Sequence, residues 1–243
     1  MNAIEETSFS LAWGKLGKEL GRPKAVLCVS AHWLTQGSRV TAQKSPKTIH
    51  DFYGFPEALY HVRYPAPGDR ALAVRVADLL GLSSDALTED WGLDHGAWSV
   101  LVHLFPKADV PVVQLSLDPH ASPMDHVKLA QQLAPLRAEG VLLLGSGNLV
   151  HNLGLLSGDP EAAPPAWATA FDRAVQESAI RGDLEALTRW ESLTPDPRLA
   201  CPSLDHYLPL LYVLALRHPG EPVSFPVQGF QHGTISMRSV RVG

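Results

Sequence analysis

Three stretches of this 243-residue chain are dominated by apolar residues: 24–31 (KAVLCVSA), 110–117 (VPVVQLSL) and 141–144 (VLLL). A strand with one wet face alternates apolar and polar residues. Such largely apolar runs predict strands buried on both faces, the habit of a parallel sheet covered by helices. The intervening sequence has the matching helical period. Residues 9–20 place Phe9, Trp13, Leu16 and Leu20 on one helical face, and Gly21-Arg22-Pro23 ends the run. Residues 69–80, with Asp69 as cap, and residues 98–105, 125–137, 167–180, 184–190 and 207–216 also read as helices. Residues 39–42 read as a short strand, and residues 234–242 as an alternating final one. Strands that alternate with helices give an α/β fold: one domain over residues 1–243, with a mostly parallel or mixed sheet and helices on both faces. Residues 50–68 form a long aromatic, glycine- and proline-bearing loop, and such loops usually serve function.

Composition narrows the function. Hydrophobic residues make up 45% of the chain, enough for a substantial core, and the net charge of −5 argues against a nucleic-acid binder, which needs a basic field. The two cysteines build no disulfide framework and suit a reducing cytoplasm. The first residues lack the basic start and apolar run of a signal peptide, and no apolar stretch reaches the roughly 20 residues of a spanning helix, so a soluble chain with no membrane partner is expected.

The chemistry concentrates in histidines at element boundaries. His32 directly follows the run 24–31, and open α/β sheets place their sites beyond the carboxyl ends of strands. His151 follows the turn Gly145-Ser146-Gly147-Asn148 after the third apolar run, where glycine lets backbone approach a ligand. His206 stands at the start of a helix that Ser203 or Asp205 can cap, with Pro209 limiting how far upstream the helix extends. His95, between Asp94 and Gly96, reads either as an acid–base or substrate-binding group or as a structural histidine; adjacent side chains rarely meet, so Asp94 has room for another partner. His50, Asp51 and Phe52 lie on the long loop, in reach of a pocket, and His232 lies close to the last strand. No nucleophile elbow, zinc-protease helix or paired-cysteine motif is present. Imidazoles suit iron, zinc, copper or nickel rather than magnesium or calcium. Residue chemistry alone thus stops at a histidine-rich transition-metal enzyme.

Six ordered segments carry the reading further: Ser30-Ala31-His32-Trp33, Thr48-Ile49-His50-Asp51-Phe52, Tyr64-Pro65-Ala66-Pro67-Gly68, Trp91-Gly92-Leu93-Asp94-His95-Gly96, Gly147-Asn148-Leu149-Val150-His151-Asn152 and Asp205-His206-Tyr207-Leu208-Pro209-Leu210. In this order they resemble the DOPA-dioxygenase type of class III extradiol ring-cleavage dioxygenases. The resemblance implies one non-haem metal, iron(II) for catalysis with zinc able to occupy the site in purified members. It implies His32 and His206 as metal ligands, His151 as a further ligand or the base beside the metal, and His95 as an acid–base group. His50, Asp51, Phe52 and His232 would contact the substrate. The partners implied are a small aromatic diol and O2; self-association into a homo-oligomer is compatible with this. Family members begin with a strand ending in His-Gly-Ser-Pro, usually followed by Met-Asn, whereas this sequence begins Met1-Asn2-Ala3. The resemblance therefore implies that the first family strand and its ligand histidine are missing, leaving a gap in the sheet beside residues 24–31. Either the natural chain starts upstream of Met1, or this is a short form with a weakened metal site. Two alternatives stay open: a zinc-dependent hydrolase on the same scaffold, and a catalytically inactive binding protein of this fold.

Overall fold

A computed structural model describes all residues, Met1–Gly243. They form two compact units, residues 1–120 with 132–146, and residues 121–131 with 147–243.

The first unit is built on a five-stranded mixed sheet of order β3-β2-β4-β1-β5. Its strands are β1 (Ala25–Leu34), β2 (Val40–Thr41), β3 (Leu87–Thr88), β4 (Val112–Leu117) and β5 (Val141–Ser146). β1 runs parallel to β4 and to β5, β2 parallel to β3, and only the β2–β4 pair is antiparallel. The three apolar runs form the adjacent strands β4-β1-β5; β1 and β4 are buried almost throughout, as expected of strands covered on both faces, whereas β5 lies at the sheet edge and is only half-buried. Both edges of β1 are therefore paired, and the gap expected beside it is not there. β1 also runs three residues further than residues 24–31: after a register shift, Leu34 pairs with Leu117. His32 consequently sits inside the strand near its carboxyl end, not after it.

Helix α1 (Ser8–Leu20) starts at a capping box in which Thr7 Oγ1 accepts from the Ser10 N–H and Ser10 Oγ accepts from the Thr7 N–H. It packs its Trp13, Leu16 and Leu20 face on a core that includes Val26, Cys28, Trp98, Leu101 and Leu104. The long loop contains one short helix, α2 (Glu57–Tyr60), and α3 (Arg70–Leu79) is capped by Asp69 as anticipated. Helix α4 (His95–Leu104) begins three residues earlier than the sequence pattern indicates. Gly96 lowers the helical propensity of that first turn, yet the Asp94 carboxylate accepts from the Ala97 N–H and starts it there.

Helix formation across residues 125–137 is broken in two, α5 (Pro123–Gln132) and α6 (Pro135–Ala138). Pro135 lacks the N–H that would continue the first helix and is well placed to open the second.

The second unit holds α7 (Ala166–Arg181), α8 (Leu184–Thr188), α9 (Pro197–Ala200) and α10 (Leu208–Leu214). Buried Tyr207 donates its hydroxyl to the Leu187 carbonyl and meets Phe171 edge to face, which ties α10 to α8 and α7. α10 starts at Leu208 with Pro209 in its first turn, and no side chain caps it, so the roles expected of Ser203 and Asp205 are not taken up. The single strand expected over residues 234–242 is two: β8 (Ile235–Ser236) pairs with β7 (Phe230–Gln231), and β9 (Ser239–Val242) pairs with β6 (Val223–Val227). The break falls at Arg238, whose guanidinium is turned onto the buried Asp172 carboxylate.

Candidate active site

In the first unit the pattern converges on the start of α4. Backbone bonds from Ile49 N–H to Leu93 O (2.7 Å) and from Leu93 N–H to Lys47 O (2.7 Å) zip the loop against the segment before the helix. The Trp98 indole N–H adds a bond to the Ile49 carbonyl at 2.8 Å. This places Asp51 over the first turn of α4. Its Oδ1 accepts the His95 backbone N–H at 2.8 Å, and its Oδ2 lies 2.8 Å from His95 Nδ1. A carboxylate there also meets the positive end of the helix dipole. Burial alone would raise the Asp51 carboxyl; the hydrogen bonds and charge from His95 outweigh it and hold the group below its ordinary value. The His95 ring packs against His32, with centroids 3.8 Å apart.

That contact needs a glycine. A Cβ on Gly96 would lie 2.4 Å from Ser30 Oγ and 2.7 Å from the His32 ring. Below it, fully buried Asp94 is satisfied by four donors: Ser30 Oγ and the Ala97 N–H on Oδ1, Gln114 Nε2 and the Trp91 indole on Oδ2. Asp94 therefore serves partners other than the adjacent His95, and the network fixes β1, β4 and α4 around the two imidazoles. Beside them lies an aromatic wall. Phe52 stands edge-on to His95 (5.4 Å) and contacts Tyr60 (5.0 Å) and Phe55 (5.3 Å). His50 is held by a bond from Nε2–H to the Val62 carbonyl at 3.1 Å. The ligand atoms of His32, Asp51 and His95 all lie within 4.8 Å of one another, a donor grouping able to hold a metal.

The second unit builds a different pair. The His151 and His206 rings stack in parallel, with centroids 3.5 Å apart and an interplanar angle of 6°. His206 is nearly buried, and its Nδ1 lies 3.0 Å from Asn148 Oδ1. The Asn148 amide nitrogen donates to the Ser236 carbonyl at 2.8 Å, so the oxygen is the atom that faces His206. An amide oxygen only accepts. His206 Nδ1 therefore carries a proton, so that in the neutral ring the lone pair is at Nε2. Asp205 Oδ2, 3.9 Å from that nitrogen, is outside hydrogen-bond range. Backbone closeness again demands glycine: a Cβ on Gly147 would lie 2.2 Å from the His206 carbonyl oxygen. His151 is fixed by its N–H to the Ala200 carbonyl and by a bridge to Ile235.

His232 belongs to the same unit but joins neither ring pair. It adopts a left-handed φ of 52°, with its Nδ1 on the Ser157 carbonyl at 2.9 Å.

The sequence pattern singled out the imidazoles and missed what orients them. Asn148 was seen only as a turn residue. The pairing of Asp51 with His95 spans 44 positions, beyond the reach of any local motif. Gln114 and Trp98 carry no signal beyond the apolar run and helix face that contain them, whereas polar Ser30 beside a strand end is a visible cue.

A family profile described as "Catalytic LigB subunit of aromatic ring-opening dioxygenase" matches residues 5–242. An Escherichia coli protein named 4,5-DOPA dioxygenase extradiol is 44% identical over 100% of this chain and 91% of its own length. One of the same name from Portulaca grandiflora is 34% identical over 96% of this chain and 87% of its own. The crystal structure of an uncharacterized Escherichia coli K12 protein superposes with a TM-score of 0.85 at 39% identity, covering 99% of this chain and 94% of that one. The chain belongs to the LigB family of aromatic ring-opening dioxygenases, the class III extradiol ring-cleavage enzymes, and is DOPA-dioxygenase-like within it.

Proposed function

We propose that this protein is a non-haem metal-dependent extradiol dioxygenase that opens the ring of a small, DOPA-like catechol with O2. The observation that carries the reading is the pair of fixed tautomers: His95 and His206 each donate Nδ1–H to an acceptor, so each ring's lone pair is at Nε2. One such nitrogen suits proton transfer and the other metal ligation. The names of the relatives support the substrate class, and the aromatic wall around Phe52 supports an aromatic ring beside His95.

Imidazole nitrogen suits a first-row transition metal, and among the proposed ligands His32 stands in a donor grouping with Asp51 and His95. His32, His151 and His206 are each proposed as metal ligands, with His151 able to serve instead as the base. Iron(II) held there would supply Lewis acidity toward the diol and a redox route to dioxygen, whereas zinc would supply only the first. The remaining work falls to the chain itself. His95 Nε2 accepts a proton from a catechol hydroxyl, Phe52 and Tyr60 orient the ring, and the aromatic wall keeps water from it. His50 and His232 contact the polar substituents of the substrate. The product retains both oxygen atoms of O2, as a ring-opened semialdehyde of muconic type. A cytoplasmic location is in keeping with two free, buried cysteines and with the absence of any helix long and apolar enough to cross a membrane.

The test is anaerobic loading with iron(II), addition of DOPA or other catechols, then exposure to oxygen. Oxygen consumption in step with a yellow ring-opened product is expected. Iron-loaded protein that consumes no oxygen with any catechol would overturn the reading.

A further inference from the structure

Asp51 lies on the substrate loop, yet its carboxylate does not point away from the protein. Both oxygens are taken up by one residue, the backbone N–H and the ring Nδ1 of His95, each at 2.8 Å. The side chain is only 15% exposed. Three features hold it there: the Ile49–Leu93 and Lys47–Leu93 backbone bonds, the Trp98 indole on the Ile49 carbonyl, and Phe52 against the His95 ring. We infer that Asp51 is a positioning residue for His95: its carboxylate fixes the ring as the Nδ1–H tautomer and presents the Nε2 lone pair for proton transfer.

A metal-ligand role for Asp51 and a substrate-contact role compete with this. Ligation through Oδ2 and Nδ1 would require the loss of the proton that joins them. Direct substrate contact would have to use the second lone pair of an oxygen that already holds His95. The bidentate geometry favours neither. When His95 takes a proton at Nε2, the carboxylate on the far side of the ring balances the new charge without moving, which is how an oriented base is supported. His95's part as proton acceptor rests on the dioxygenase reading; its tautomer does not.

The experiment has two arms. In the full chain, free of metal and labelled with nitrogen-15 at histidine, His95 is expected to carry its proton on Nδ1. Asp51→Asn should mix in the other tautomer, and the His95→Gln spectrum assigns the signal. A wild-type His95 protonated at Nε2 instead would overturn the proposal. In the iron(II)-loaded full chain with DOPA, Asp51→Asn should lower kcat about 10- to 100-fold, less than the roughly 10²–10⁴-fold lost with an acid–base group itself. KM and bound iron should stay within about threefold of wild type, and Asp51→Asn combined with His95→Gln should be no worse than His95→Gln alone. Asp51→Glu should recover part of the loss. A raised KM at unchanged kcat would make Asp51 a substrate contact, and lost iron would make it a ligand; either defeats the assignment. A wild-type protein that consumes no oxygen would defeat the dioxygenase reading, while the tautomer still decides the Asp51–His95 pairing.

Discussion

The first unit pairs His95 with His32, and the second pairs His151 with His206. The rings meet at similar distances, but the groups behind them differ. A carboxylate, Asp51, stands on His95 Nδ1; a neutral amide, Asn148, stands on His206 Nδ1. Both fix the same tautomer. Only the carboxylate can balance the charge that arises when Nε2 takes up a proton, whereas the amide leaves a neutral ring whose lone pair suits a metal. A carboxylate also backs many metal-ligating histidines, so the assignment of His95 as proton carrier and His206 as ligand rests on the proposed function and not on the partner alone.

The sharpest way to break the comparison is at His151, which stacks on His206 and is proposed as a further ligand or as the base. His151→Ala is expected to lower kcat by about 10²-fold or more. It should change stability by no more than about 1 kcal/mol, because the ring is half-buried and the backbone bonds that anchor it remain. Urea unfolding beside steady-state oxygen uptake separates the two effects.

The two glycines sharpen it next. Gly147→Ala drives a Cβ against the His206 backbone carbonyl, while Gly96→Ala drives one against the Ser30 and His32 side chains. Backbone cannot step aside as a side chain can. Gly147→Ala should cost about 3 kcal/mol, and Gly96→Ala nearer 1 kcal/mol. The Gly96 variant should still lose activity, because His32 is what moves. Equal unfolding costs would contradict the geometry.

Asn148→Asp converts the second pair toward the first. Aspartate cannot donate to the Ser236 carbonyl, so the group that orients His206 is loosened. Iron(II) affinity should fall about 10- to 100-fold, the usual penalty for losing an outer partner of a ligand. Unchanged affinity in an anaerobic titration would remove Asn148 from the account.

The smallest effect lies outside both pairs. Burial, with the Asp205 charge, pushes the Cys201 thiol from 9.0 up to about 12, and its Sγ donates to the Leu149 carbonyl. Below pH 9 the thiol is protonated whether the chain is folded or not and contributes no pH dependence. Above it, the unfolded chain releases a proton that the folded chain keeps, so stability falls as pH rises from about 9 toward 12. Cys201→Ala should flatten that part of the Tm–pH curve. Cys28, also held protonated by burial, remains as background.

How much of this was readable in advance follows from the range of the interactions. The sheet was legible because burial writes itself into runs dominated by apolar residues, and β1, β4 and β5 lie on them, although β5, at the edge, is only half-buried. The imidazoles were legible because histidine at an element end is chemically conspicuous. The start of α4 was not: Asp94-His95-Gly96 looks like loop until the Asp94 carboxylate is seen to cap Ala97. The broken C-terminal strand had a signal in the sequence: Arg238 and Ser239 are successive polar residues, and the apolar positions shift from 235 and 237 to 240 and 242 where β8 and β9 part. Asp51 behind His95 was out of reach, since a contact across 44 positions leaves no period or spacing to read.

The most direct test of the contrast between the pairs is the iron retained after anaerobic loading and desalting of two variants, His206→Ala and His95→Gln. If the amide-backed ring is a ligand and the carboxylate-backed ring a proton carrier, His206→Ala emerges depleted of iron. His95→Gln then keeps as much as wild type while turning over poorly. A His95→Gln protein stripped of iron beside a His206→Ala protein that retains it would contradict the account.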